Sequence, residues 1–396
     1  MQTIRRKFIA RGLALMLALL CFLFAGQSAW AQRKANDRAE QLERAATLIG
    51  SNRLSEAEEL LNQVLKVAPE EATALNLLGA IRAKQGRLDE AETFFSRAVR
   101  SDASMTGAHM NLAYLYLLKR EPEKTASELK EALRLEPGNT EAGYRLAWLL
   151  LSQGRVDECI SLIEKLKASQ TLSAPLLGVL GSAYLKKGDK VASLSALKRA
   201  VELRPEDAAY RFSLGISWLS SPPDLQEAEQ AFRQFLKLRP DDALGQLHLG
   251  YVLLKEKQYT EARELLEKSI QTGAGTPEAF YYLGLIAQGQ SEDERAIELF
   301  LKAIQLAPSF GYVHIALGAT YLKLKDYARA EHFLETGVKL SPDDSKAHYN
   351  LAMLYARLKN PERAQEEMRL VEKLKTEGKA QEQAEGDIQP PPTPPR

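Results

Sequence analysis

A 34-residue pattern returns along most of this chain, and that period limits the fold more than composition does. From Ala72 to Met105 the segment reads as two amphipathic helical patterns with a turn between them. A shift of 34 carries Leu78, Gly79, Ala91, Phe95 and Ala98 onto Leu112, Ala113, Thr125, Leu129 and Ala132, and a second shift carries them onto Leu146, Ala147, Cys159, Ile163 and Leu166. Two helices in a fixed period of this length describe a solenoid, in which each hairpin buries its apolar face against the next.

With Ala72 as position 1, the first helix carries its apolar stripe at positions 4, 7 and 8 and the second at 20, 24 and 27, which is helical spacing. Position 11 belongs to the first stripe, although Arg82 occupies it in this repeat. Gly or Ala at position 8, facing a small residue at position 20, removes bulk where the two helices cross, and a Leu there would overpack the pair by roughly 1 to 3 kcal/mol. Gly86 has the backbone freedom to end the first helix at positive φ, and Asp89 with Glu92 is expected to cap the second. Pro69, Pro137, Pro205, Pro240, Pro308 and Pro342 share position 32 and stop the second helix.

Ten such repeats begin near Arg38, Ala72, Thr106, Thr140, Ala174, Ala208, Ala243, Pro277, Gly311 and Ser345. Leu214, Gly215, Trp218, Ala228, Phe232 and Pro240 in the sixth, and Leu283, Gly284, Ala296, Phe300, Ala303 and Pro308 in the eighth, make the chain resemble a tetratricopeptide-repeat protein of the exported bacterial type. The resemblance implies an all-α, right-handed solenoid of helical hairpins over residues 38–376 that binds other proteins. The family's Trp at position 4 is missing throughout. The sixth repeat has an extra residue in the turn from Ser220 to Asp224. The second, fourth and seventh lack the closing proline, and the run from Thr272 to Thr276 is expected to be the most flexible joint. The last helix, with Arg363, Glu366, Glu367, Arg369, Glu372 and Lys373, suits a polar end cap.

The ends read differently. Residues 1–31 have a basic head (Arg5, Arg6, Lys7, Arg11), an apolar run from Gly12 to Ala25 and a small-x-small site, Ala29-Trp30-Ala31, which together predict a cleaved signal peptide. General secretion suits the apolar run and twin-arginine export the Arg5-Arg6 pair. Cys21 follows the bulky Leu20, which argues against lipidation. Cleavage takes four basic and no acidic residues from a chain of net charge +1, leaving −3, and Cys159 as the one remaining cysteine. The mature chain is therefore expected in the periplasm or outside the cell, with no disulfide of its own and no membrane span. No basic stripe points to nucleic acid. Residues 377–396 end in a proline-rich run and read as a disordered tail.

Chemistry finds little to rest on. His109, His314 and His348 share position 4, and the last two lie one repeat apart, but zinc takes three or four protein ligands and no third His or Cys joins them. His248 and His332 have no patterned partner, and Cys159 stands at the small buried position 20. No phosphate loop, nucleophile elbow or metal motif is present. These observations predict a non-enzyme without cofactor or metal.

Binding has a clearer basis. Positions 2, 5, 9 and 12 of each first helix form a second row, which in the tetratricopeptide family lines the concave face. Tyr114, Tyr144, Trp148, Phe212, Tyr251, Tyr281, Tyr312 and Tyr349 are the candidate partner-binding residues, beside Met110, Ile216, Leu247, Leu285, Ile315 and Met353. Packing of positions 5 and 9 against the next repeat is the competing account. A carboxylate clamp is not expected, since Asn76 is the sole Lys or Asn at position 5 or 9; an asparagine ladder is not either, with Asn111 and Asn350 alone at position 6. The expected function is a protein-binding scaffold in a cell-envelope assembly such as pilus biogenesis, polysaccharide export or outer-membrane assembly. A carbohydrate-binding module using the same groove is the alternative.

Overall fold

The structure, a computed structural model, describes residue 34 and residues 36–169, 171–220, 222–273 and 275–376. The expected signal peptide and proline-rich tail lie outside the described residues. Within them the chain is all helix, twenty helices and no strand. The odd-numbered helices open each repeat and the even-numbered ones close it.

The chain divides into two compact units, one reaching Arg155 and including Leu162–Gln170, the other made of Val156–Ser161 and the chain from Thr171 on. The first holds α1 (36–50), α2 (Leu54–Val67), α3 (Ala72–Lys84), α4 (Leu88–Ser101), α5 (Thr106–Leu118), α6 (Pro122–Leu135) and α7 (Thr140–Ser152); the division falls within α8 (Val156–Ser169). In the second are α9 (Ala174–Lys187), α10 (Lys190–Leu203), α11 (Ala208–Leu219), α12 (Leu225–Leu238), α13 (Ala243–Lys255) and α14 (Tyr259–Gln271). It continues with α15 (Pro277–Gly289), α16 (Asp293–Leu306), α17 (Gly311–Lys323), α18 (Tyr327–Leu340), α19 (Ser345–Arg357) and α20 (Pro361–Thr376).

Each hairpin is closed by the small residue at position 8. A Cβ on Gly79 would lie 2.6 Å from the Phe95 ring, and one on Gly284 would lie 2.4 Å from the Phe300 ring, so a glycine backbone here sits directly on the aromatic face of position 24. Position 20 is fully buried as Ala57, Ala91, Cys159, Ser193, Ala228, Ala262, Ala296 and Ala330. Where the residue is polar it is satisfied: Ser193 donates to the Gly181 carbonyl at 2.8 Å, and Ser217 donates to Ser193 at 3.0 Å. In the second unit one continuous core runs from Phe212 through Phe232, Tyr282 and Phe300 to Tyr355.

The prolines at position 32 lie two residues beyond the helices they follow, and the residue between, such as Glu136 or Arg239, is held out of the helical region. Asp102 takes the same conformation with Ala103 after it, so the stop does not depend on proline. The capping expectation for α4 is corrected. Arg87 is the N-cap and gives no side-chain cap bond, while Asp89 lies in the first turn and binds Lys119 at 2.9 Å. Glu92 takes Lys119 at 2.6 Å and the Tyr116 hydroxyl at 3.1 Å, so both carboxylates bind the next repeat. Aspartate does cap elsewhere, as Asp189, Asp207, Asp224, Asp242, Asp326 and Asp344.

The inserted turn of the sixth repeat is tied down by one lysine. Lys190 donates to the carbonyls of Trp218 at 3.1 Å, Ser220 at 3.0 Å and Pro222, and its ammonium lies 5.6 Å from the Trp218 ring. Burial pushes this amine below its ordinary pKa. The joint between α14 and α15 contains Gly273 at φ +122 and is closed by Thr276, whose hydroxyl accepts from the Ala279 amide.

Candidate functional site

The row of positions 2, 5, 9 and 12 divides in the structure into exposed and buried members. Tyr114 is 50% exposed, Tyr349 is 47% exposed, and Tyr144, Trp148 and Tyr312 are half-buried. Phe212, Tyr251 and Tyr281 are instead core residues, at most 6% exposed. Aromatic neighbours explain the difference. Phe212 sits edge-on to Phe232, Phe235 and His248 at centroid distances of 5.6, 5.1 and 5.1 Å. Tyr281 meets Tyr282 at 5.6 Å and Phe310 at 5.3 Å, and Tyr251 meets Tyr282 at 5.3 Å. At these positions packing within the repeat and against the next one has taken the side chain and leaves little of it to a partner. Burial also pushes the Tyr251 phenol up to about 12.

Three of the candidates come together in the first compact unit. Tyr114 and Leu117 on α5 face Tyr144, Arg145 and Trp148 on α7 across a cleft of about 230 Å³, floored by Thr125 and Leu129 of α6. The cleft arises from the repeat itself: positions 9 and 12 of one first helix oppose 5, 6 and 9 of the next. Two of its polar groups are bonded within the protein. The Thr125 hydroxyl donates to the Glu121 carbonyl at 3.0 Å, and Arg145 donates to Glu141 at 2.5 Å while its guanidinium lies 5.9 Å from the Tyr114 ring. What remains for a ligand is aromatic face and aliphatic floor, with the Tyr114 and Tyr144 hydroxyls and the Trp148 indole N–H beside them, which suits an apolar side chain inserted between two rings. Sequence reading missed Leu117, Thr125, Leu129 and Arg145 as lining. Leu117 does stand at position 12 of the row, whereas the floor comes from a second helix that the row does not describe.

The other polar candidates are structural. Asn111 donates to Asn76 at 2.9 Å, joining α5 to α3 rather than facing a ligand. His109 and His348 each hold a carbonyl and a carboxylate: Nδ1 meets Glu128 at 2.7 Å and Glu367 at 2.6 Å, while Nε2 meets the carbonyls of Ala103 at 3.3 Å and Pro342 at 2.9 Å. His314 gives Nε2 to the Pro308 carbonyl at 2.9 Å, so each of the paired histidines is turned to its own loop. Among the described residues no group of three or more His, Cys, Asp or Glu is arranged to hold a metal ion, and no helix is long and apolar enough to cross a membrane.

Three tetratricopeptide-repeat models match the chain, one over residues 110–215, one over 42–106 and 224–277, and one over 325–380. A tetratricopeptide-repeat-containing protein of Pseudomonas aeruginosa is 29% identical over 47% of this chain and 31% of its own length. Cellulose synthase operon protein C of Pseudomonas fluorescens is 24% identical over 64% of this chain and 21% of its own. The chain thus spans less than a third of the length of these two relatives. Among solved structures, the APC/C hetero-tetramer Cut9-Hcn1 aligns over 85% of this chain and 80% of its own with a TM-score of 0.51 and 17% identity, a likeness of fold alone. Matching models and helical hairpins of one period lead to the same conclusion: the chain belongs to the tetratricopeptide-repeat family.

Proposed function

We propose that this protein is a non-catalytic scaffold that holds an apolar or aromatic segment of another protein in the α5/α7 cleft. The observation that carries the reading is the meeting of Tyr114, Tyr144 and Trp148 around one mainly apolar opening whose Thr125 and Arg145 are already bonded within the protein. Rings of this kind lose little side-chain entropy on binding, and truncating a central one typically costs about 2 kcal/mol or more. The setting proposed is a cell-envelope assembly, reached by export. That setting is supported by the leader-like residues 1–31 and by a relative named for a cellulose synthase operon.

The test is affinity capture from the native envelope with tagged mature protein, beside the Tyr144→Ala/Trp148→Ala double variant. The expected result is one or a few proteins retained by the wild type and lost by the variant, with helicity by circular dichroism unchanged. Equal retention by both would remove the cleft from the binding account. Aromatic platforms also suit sugars, so binding of oligosaccharides with no protein retained would favour the carbohydrate reading.

A further inference from the structure

The second compact unit carries a cleft at the same repeat positions as the first, with different chemistry. Tyr349 and Met353 on α19 stand at positions 5 and 9, where α7 has Tyr144 and Trp148, and Leu322 on α17 stands at position 12, where α5 has Leu117. With Lys323, Lys325 and Arg357 they line a cleft of about 410 Å³. Tyr349 and Met353 are exposed, an apolar surface left open at the heart of the cleft.

The charged residues that line that surface have one sign. Three cations line it and no carboxylate does. Lys323 is held by Asp293 at 2.8 Å, but Lys325 and Arg357 meet no acidic partner among the described residues. In the α5/α7 cleft the single cation, Arg145, is paired within its own helix by Glu141. Equivalent clefts that differ in unpaired charge should differ in ligand. Complementary charge governs encounter rate and specificity more than raw affinity, and like charges are rejected at several kcal/mol.

We propose that the α17/α19 cleft docks an acidic segment of a partner protein, one in which carboxylate side chains flank an aromatic or aliphatic residue. The apolar side chain lies on Tyr349, Met353 and Leu322, and the carboxylates meet Lys325 and Arg357. The cleft lies in the other compact unit from the one assigned above, so the two readings fail separately.

The test uses the full chain and a short fluorescent peptide of Asp and Glu around Phe and Leu, with the same peptide in Asn and Gln as control, followed by anisotropy at low and high salt. The expected result is binding of the acidic peptide at least about tenfold tighter than the amide control at low salt, a preference that falls as salt rises. Lys325→Glu/Arg357→Glu should abolish the preference with the helical signal intact, and Arg357→Gln should weaken it in part. Tyr114→Ala/Trp148→Ala should leave it unchanged. Equal binding of the two peptides, or loss of binding in the α5/α7 variant alone, would overturn the proposal. So would binding that appears only after residues 377–396 are removed, since the occupant would then be the chain's own tail, which carries Glu377, Glu382, Glu385 and Asp387.

Discussion

Arg82 on α3 reaches back to Glu58 on α2 with both ends of its guanidinium, Nη2 at 2.6 Å and Nη1 at 2.9 Å, although only 8% of the residue is exposed. Other repeats place Leu, Tyr, Trp or Ala at this core position. Nε lies 3.3 Å from Glu90 without making a hydrogen bond. The ion pair therefore replaces an apolar contact, and its cost is met only while Glu58 is charged and in place. Glu58→Gln should destabilise the protein by roughly 1 to 3 kcal/mol by leaving a buried cation underbonded. Arg82→Leu, with its partner free to turn to solvent, should be near neutral or stabilising. The Arg82 hydrogen bond holds the Glu58 carboxyl below its ordinary pKa. That part of the stability is present above the unfolded carboxyl's pKa and is lost as pH falls through the folded one. Arg82→Leu should accordingly flatten the acid limb of the stability curve measured by urea unfolding. An acid limb as steep as that of the wild type would contradict the assignment.

The turn after each first helix makes a second prediction. Position 15 is left-handed in nine repeats, as Gly86, Gly154 and Gly188 but also as Asn52, Arg120, Lys257, Ser291, Lys325 and Lys359, with φ between +57 and +82. A long side chain in that region costs about 1 to 2 kcal/mol, and Asn is tolerated there more readily. Lys257→Gly and Lys359→Gly should each raise stability by a few tenths to about 1 kcal/mol, the gain being reduced by the greater unfolded entropy of glycine. Asn52→Gly should change little. Equal gains at all three sites, read from urea midpoints, would mean that the turn conformation is not what the lysines strain against.

The two predictions mark where sequence was sufficient and where it was not. The hairpin was legible because its requirements are local and periodic: Gly at position 8 and an aromatic or Leu at 24 recur together, and the structure has them in contact as Gly79 with Phe95 and Gly284 with Phe300. Left-handed position 15 is legible where glycine stands there, at Gly86, Gly154 and Gly188, since lysine and arginine do not announce positive φ. The binding row was legible as a row but not in its burial. Tyr281 and Tyr349 share position 5, yet Tyr281 is closed off by Phe310 from the following loop, while Tyr349 in the last repeat stays open. Such closure depends on which residue the next turn contributes. Asp89 misled because an Asp near a helix start has two uses, and here Lys119 of the following repeat claimed it.

Tyr116 and Tyr355 give a prediction at the alkaline end. Both occupy position 11, both are almost fully buried, and each donates its hydroxyl to a carboxylate, Glu92 at 3.1 Å and Glu335 at 3.0 Å. A cation from position 19 covers each ring, Lys124 at 5.0 Å over Tyr116 and Arg363 at 5.2 Å over Tyr355. Arg329 sits over Tyr321 in the same way at 4.4 Å. For both phenols burial is the leading cause of a pKa raised to about 12, with the adjacent carboxylate adding to it. A phenol raised in the folded state contributes stability that is whole below the unfolded value near 10 and is lost as pH rises through the folded value. Stability followed by urea unfolding should therefore fall between about pH 10 and pH 12. Phenolate absorbance should show two classes of tyrosine, with Tyr116 and Tyr355 in the late one. In Tyr116→Phe/Tyr355→Phe that decline should be shallower and the late class smaller, at a neutral-pH cost of about 1 kcal/mol per lost hydrogen bond. A late class of unchanged size in this variant would remove both residues from it.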